Sequence, residues 1–178
     1  YGIPWANLSN TPFREYKHWV HEGGISTPLI VHWPDGIKAS GEVRHQSSQL
    51  PDIMATCLEV ASAKYPIEHD DDQILPLEGD SLVPIFSNQD NGKKTLYWEH
   101  EGNCAVRQGK WKLVTKHPKD WELYDIEADR TELNDLSNQF PDVVAELSGL
   151  YQAWANRCGV EPWNQIIEGR KERRNKST

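Results

Sequence analysis

Cysteine is scarce in this 178-residue chain, and what little there is has no pattern. Cys57, Cys104 and Cys158 are an odd number, far apart and without C-x-x-C spacing, so they give neither a zinc signature nor a complete disulfide framework. They therefore leave the compartment open. Cys57 lies on an apolar periodic stretch and is expected to be a buried free thiol. Long hydrophobic runs are missing too. None approaches the ~20 residues of a membrane-spanning helix, and there is no signal-peptide pattern. Positive charge is in deficit: 19 Lys and Arg against 27 Asp and Glu leave a net charge of -8, which argues against nucleic acid as a partner. Catalytic signatures are also lacking. No G-x-S-x-G elbow, H-E-x-x-H or P-loop occurs, and no repeat with a period of about 20 to 50 residues is found.

What is present supports a packed core. Hydrophobic residues make up 37% and charged residues 26%, with eight Trp spread through the chain. "FREYKHWV" places Phe13, Tyr16 and Val20 at helical spacing, with Gly23 and Gly24 as a stop. "PLIVHW", residues 28–33, is an apolar β-branched run between prolines and predicts a buried strand of the parallel-sheet kind. "LPDIMATCLEVASA" predicts a helix with Ile53, Met54, Cys57, Leu58 and Ala61 on one face and Pro51 and Asp52 in its first turn. Residues 64–76 read as a polar loop.

The second half changes character. "LYWEHE", "CAVRQ", "WKLVTK" and "WELYDI" are short alternating runs joined by "GN", "GK" and "HPKD", which predicts an antiparallel meander of about four strands. Val143, Leu147, Leu150, Tyr151 and Trp154 then share one face of a long helix. The chain is expected to divide into a strand-and-helix segment at 1–85, an antiparallel sheet with its packing helix at 86–165, and a charged tail at 166–178. The first segment holds too few strands for a complete parallel sheet. Together with a start at Tyr1 rather than Met, this suits the end of a larger fold.

Chemistry concentrates in few places. Lys17 precedes Glu22-Gly23-Gly24 by five positions. Glycines let backbone approach a ligand, and an ammonium offers three donors to the oxyanion of a sulfate or phosphate ester. A solvated lysine at a helix end is the competing reading. His18 and His21 are spaced to share a helical face, but a third metal ligand is not apparent. His100 ends the first meander strand beside Trp98, with Glu99 and Glu101 expected on the opposite face; it suits substrate contact as well as sheet packing. "EHDDD", residues 68–72, lacks the spacing and glycine of a calcium loop and reads as solvated.

Several blocks, taken together, resemble one family. "YKHWVHEGGISTPLIVHWP", "QLPDIMATCLEVA", "LEGDSLVPIF", "WEHEGNCAVRQGKWKLV" and "WELYDIEADRTELNDLS" are similar, in this order, to the C-terminal part of the type I sulfatases, across roughly residues 7–157. One position departs: Ser26 stands where many sulfatases carry arginine. The resemblance implies an alkaline-phosphatase-like α/β fold with a C-terminal antiparallel domain, and hydrolysis of sulfate esters. It also implies a calcium ion and a formylglycine made in a C/S-x-P-x-R motif. Neither that motif nor the calcium carboxylates map onto this sequence. Both are expected from segments outside it, so that the chain binds no cofactor and is inactive alone. Lys17 maps onto the family's sulfate-binding lysine, and His100 onto a loop bordering the substrate pocket. The partners implied are a sulfated small molecule or glycan and the N-terminal sulfatase segment, in a periplasmic or secreted setting. Self-association through residues 1–40 is a further expectation. A related phosphoesterase or phosphonate hydrolase, and a non-catalytic binding or assembly module, are the alternatives.

Overall fold

The computed structural model describes residues 2–89, 92 and 94–176. Twelve elements follow in chain order: α1 (Ile3–Ser9), α2 (Glu22–Ile25), α3 (Leu50–Val60), β1 (Glu68–His69), β2 (Asp72–Gln73), α4 (Val83–Phe86), β3 (Thr95–His100), β4 (Asn103–Gln108), β5 (Trp111–Thr115), β6 (Glu122–Asp125), α5 (Pro141–Cys158) and α6 (Trp163–Lys176). They fall into two compact units. One joins the residues up to Pro28 to those from Thr95 onward, and the other is Leu29–Lys94.

The first unit is built on the meander. Strands β3-β4-β5-β6 lie in sequence order, each antiparallel to the next. Both tight turns match the glycines that suggested them. His100 pairs with Asn103 across Glu101 (φ 52°) and Gly102 (φ 83°), and left-handed backbone at both turn positions follows the twist of the flanking strands. Alternation then divides the side chains. Val106, Leu113 and Leu123 face α5, where Leu147, Tyr151 and Ala155 complete a core with Tyr97, Val143, Leu150 and Trp154 packed against it. α5 begins with Pro141 and Asp142 and stops at Gly159, which caps it in the left-handed conformation (φ 66°). Every residue assigned to the buried face of this helix from its spacing packs there. The segment expected as a charged tail is instead helical in α6 through Lys176.

Ala105, Val114 and Tyr124 point from the opposite face and bury Val20 and part of Ile25. This second contact corrects the reading of "FREYKHWV". Residues 13–21 form turns rather than a helix, and Gly23 and Gly24 lie inside α2 rather than ending an earlier one. The cause is tertiary. Glu15 is held at φ 71°, which no right-handed helix accommodates, while its carboxylate pairs with Lys116 of the sheet domain.

In the second unit, α3 forms where its proline and aspartate indicated. Asp52 accepts the Gln49 backbone N–H at 2.7 Å and the Asp80 N–H at 2.9 Å, and it pairs with Lys94. The buried face differs from the expected one. Asp52 and Ala55 are buried, whereas Ile53, Met54 and Cys57 face outward, so Cys57 is an exposed thiol rather than a core one. The strand expected at residues 28–33 does not form. Leu29, Ile30 and Val31 are exposed, and among the described residues no backbone N–H of 28–33 donates to another backbone group. A strand buried on both faces needs neighbours on each side. Among the described residues both sheets are antiparallel, and neither includes this segment. "EHDDD" is exposed, as expected of a solvated run, and folds into the small β1–β2 hairpin with Asp70 and Asp71 in left-handed turn positions.

Candidate functional site

Residues 14–25 lie against the sheet face opposite α5, and ion pairs as well as apolar contacts hold them there. Lys112, central in β5, is completely buried. Its ammonium donates to Glu22 at 3.0 Å and reaches Glu132 at 2.7 Å, both of them buried carboxylates. Glu132 also accepts the backbone N–H of Glu22 at 2.7 Å. Burial alone would raise the Glu22 pKa. The charge and hydrogen bond of Lys112, helped by Arg107 and Arg130, overcome it and leave the carboxyl below its usual range. Removing one member would strand an uncompensated charge, a change commonly costing about 3–5 kcal/mol.

A second tether lies beside it. His21 is fully buried, and its Nε2 meets Glu122 Oε2 at 3.1 Å; Tyr124 donates to the same oxygen at 2.8 Å. The His21 hydrogen bond chiefly, with Tyr124 and Arg14 assisting against burial, holds Glu122 down at about 2. Arg14 donates to the Glu132 carbonyl at 2.6 Å. The glycines allow the closeness. A Cβ on Gly24 would stand 1.8 Å from the Trp19 carbonyl oxygen, and one on Gly23 2.2 Å from that of Arg14. No side chain fits at either position.

Lys17 rides on this clamped loop. Its side chain is exposed, and among the described residues no carboxylate pairs with it. His18, next in the chain, turns toward the β3–β4 turn. Its ring stands 5.4 Å, edge on, from that of His100, and its Nδ1 is 3.4 Å from Glu101 Oε2. Lys17 thus belongs to the loop whose next residue touches His100. Two details differ from what helical spacing and strand alternation suggested. His21 is turned inward to Glu122 and shares no site with His18. Glu101 occupies the left-handed turn, leaves the face of Glu99 and joins the histidines.

Among the described residues, His18, His100 and Glu101 are the one group of three or more ligand-type side chains whose donor atoms converge, all within 4.8 Å of each other. Two imidazoles suit a borderline transition metal, not calcium, which takes six to eight oxygens. This group therefore does not fit the calcium of the implied family. On the α5 side of the sheet, a cavity of about 300 Å³ is lined by Glu99, Cys104, His117, Tyr151, Glu161 and Trp163, among others. There the Tyr151 hydroxyl donates to Cys104 Sγ at 2.9 Å, and burial pushes the thiol pKa up, opposite to an activated nucleophile.

Sequence reasoning missed the clamp of Glu22, Lys112 and Glu132, and the approach of His18 to Glu101. A signal for Lys112 existed: alternation in "WKLVT" sends it to the same side as Val114, into the interior. Its two carboxylate partners lie 90 and 20 positions away, which no local pattern reveals.

Comparison with known proteins agrees with the blocks that carried the resemblance. The family model described as N-sulphoglucosamine sulphohydrolase, C-terminal, matches residues 14–153. An uncharacterized sulfatase of Schizosaccharomyces pombe is 30% identical over 169 residues, covering 90% of this chain and 30% of that protein. An N-acetylgalactosamine-6-O-sulfatase of Bacteroides thetaiotaomicron is 27% identical over 164 residues, covering 82% of this chain and 30% of its own length. Among solved structures, Ps i-CgsB superposes with a TM-score of 0.47 at 22% identity, over 58% of this chain and 23% of its own. The chain thus spans about a third of the length of the curated relatives it matches. It belongs to the sulfatase family and corresponds to the family's C-terminal portion.

Proposed function

We propose that this chain serves a sulfuric ester hydrolase in which Lys17 binds a sulfate oxygen and stabilises charge developing on the leaving oxygen. The carrying observation is the placement of Lys17: an exposed ammonium without a carboxylate partner among the described residues, on a loop that buried ion pairs fix to the sheet. A donor fixed before the reaction needs no reorganisation as charge builds up, and such donors are commonly worth about 10²–10³ in rate. His100, beside the same loop, would contact the part of the substrate beyond the sulfate. The named relative acts on a 6-O-sulfated N-acetylgalactosamine, which supports a sulfated sugar as substrate class here.

The nucleophile would come from a C/S-x-P-x-R segment outside the 178 residues, converted to formylglycine. A calcium ion would be held by carboxylates from such segments as well. The 178-residue chain alone should accordingly show no turnover of a chromogenic aryl sulfate. Self-association through residues 1–40 forms part of the same proposal.

The test is kinetic, in the longer parent protein. Lys17→Ala should lower kcat about a hundredfold or more with the fold retained, whereas unchanged kcat and kcat/KM would return Lys17 to an ordinary surface lysine. His100→Ala should slow a sulfated sugar more than a small aryl sulfate, since the latter lacks the groups His100 would touch. Equal losses on both substrates would remove His100 from substrate recognition.

A further inference from the structure

We propose that His18, His100 and Glu101 form a binding site for a borderline divalent metal ion, of which Zn²⁺ is the best match. Three independent features of the structure build the site. The first is the ligand set: two imidazoles and one carboxylate, with all donor atoms within 4.8 Å of each other. Zinc takes nitrogen and oxygen ligands at about 2.0–2.2 Å in a tetrahedron, so its ligands stand about 3.3 Å apart. His18 Nδ1 and Glu101 Oε2 already stand at 3.4 Å. His100 lies exposed at the strand end with its ring 5.4 Å from that of His18, so a side-chain adjustment completes the triangle.

The second feature is the turn that delivers the carboxylate. Glu101 is held at φ 52°, a conformation a side-chain-bearing residue rarely adopts, and Glu99 Oε1 accepts the Gly102 N–H at 2.8 Å to support the turn. In an extended strand Glu101 would have pointed to the α5 side with Glu99. The turn instead sends it to the histidines.

The third is a buried clamp behind the ligands. Asn103 is 2% exposed, and its Nδ2 donates to the His100 carbonyl at 2.8 Å and to the His18 carbonyl at 3.4 Å. Its Oδ1 accepts the His117 N–H at 3.1 Å. One buried side chain thus ties together the two distant segments that carry the histidines. It fixes the backbone of the two histidines relative to one another.

With three protein ligands, the fourth position of a bound zinc is open to water or to an oxyanion. Each imidazole gives one nitrogen to the metal and keeps the other. This proposal does not depend on the sulfatase reading, because its test needs no turnover.

The experiment is calorimetric titration of metal-free 178-residue chain with ZnCl₂, in the presence of millimolar CaCl₂, with circular dichroism as a control for folding. We expect saturable binding of one zinc per chain that calcium does not displace. His18→Ala, His100→Ala and Glu101→Gln should each weaken it about tenfold or more. Asn103→Ala should weaken it about tenfold through the clamp, and His69→Ala, in the exposed β1–β2 hairpin, should leave it unchanged. Glu101→Gln alters only a half-buried turn carboxylate and keeps its shape, so the proposal stays testable even where a histidine variant loses structure. Absence of saturable binding would overturn the proposal. So would binding that survives the His18, His100 and Glu101 substitutions, or that falls equally in His69→Ala.

Discussion

Glu122 couples the stability of the fold to pH through a single side chain. It is unremarkable in sequence, yet it accepts hydrogen bonds from His21 and Tyr124 and lies 3.7 Å from Arg14. Those partners lower its pKa from the ordinary 4.5 to about 2. A carboxylate depressed on folding stabilises the native state above its unfolded value, and the contribution is lost as pH falls through the folded value. The window here therefore runs from about 4.5 down to about 2, and a shift of this size is worth up to about 3 kcal/mol. Glu122→Gln should make unfolding free energy less dependent on pH within that window, as followed by urea unfolding at a series of pH values. Glu22 and Asp52, also lowered, remain in the variant and cancel in the comparison. An unchanged pH slope would mean that His21 and Tyr124 do not hold the charge.

Among the elements, α2 and α5 contain glycines that look alike in sequence and differ in what surrounds them. A Cβ on Gly24, in α2, would meet the Trp19 carbonyl oxygen, so Gly24→Ala must push the 14–19 loop off the sheet. The expected cost is roughly 1–3 kcal/mol, the range of an overpacked core. In α5, Gly149 has nothing within 4 Å of the added carbon. There Ala should stabilise by about 0.5–1 kcal/mol, because the unfolded chain loses freedom and the helix gains a better former. Thermal unfolding of the two variants tests both signs at once. A Gly24→Ala chain as stable as the wild type would show that the loop can move without loss, and would weaken the case that it holds Lys17 in place. The meander was legible for the opposite reason. Its turns and alternation are local, and the residues that satisfy each strand lie within a few positions of it.

For the molecule as a whole, apolar exposure is the main departure from a self-sufficient fold. Ile3 and Leu8 of α1 are exposed, and Ile30 is 89% exposed in a segment without backbone pairing among the described residues. Burying each such side chain is worth roughly 1.5–3 kcal/mol, which gives these residues reason to find a partner. Light scattering of the 178-residue chain should therefore show a mass that rises with concentration, and Ile30→Asp should reduce it. Hydrogen exchange should find the amides of residues 29–33 poorly protected beside those of β4 and β5. A monodisperse monomer, or strong protection at 29–33, would show that these residues are satisfied within the chain.

The sequence by itself determined the meander, α3, α5 and the family, because each rests on short-range spacing or on blocks that can be read in order. Val143, Leu147, Leu150, Tyr151 and Trp154 needed only a helical period to be placed on one face. The tertiary structure alone decided the rest. It unwound the helix expected around Tyr16, left residues 28–33 outside both sheets of the described residues, turned Cys57 outward, and sent His21 to Glu122 and His18 to Glu101. For the segment that carries Tyr16, His18 and His21 the reason is a long-range contact. Helical period and β-branched runs report a preference worth tenths of a kilocalorie per residue. A buried ion cluster such as Lys112 with Glu22 and Glu132 is assembled from residues far apart in the chain, and breaking one open costs several kilocalories. Where the two conflict, the long-range contact sets the conformation.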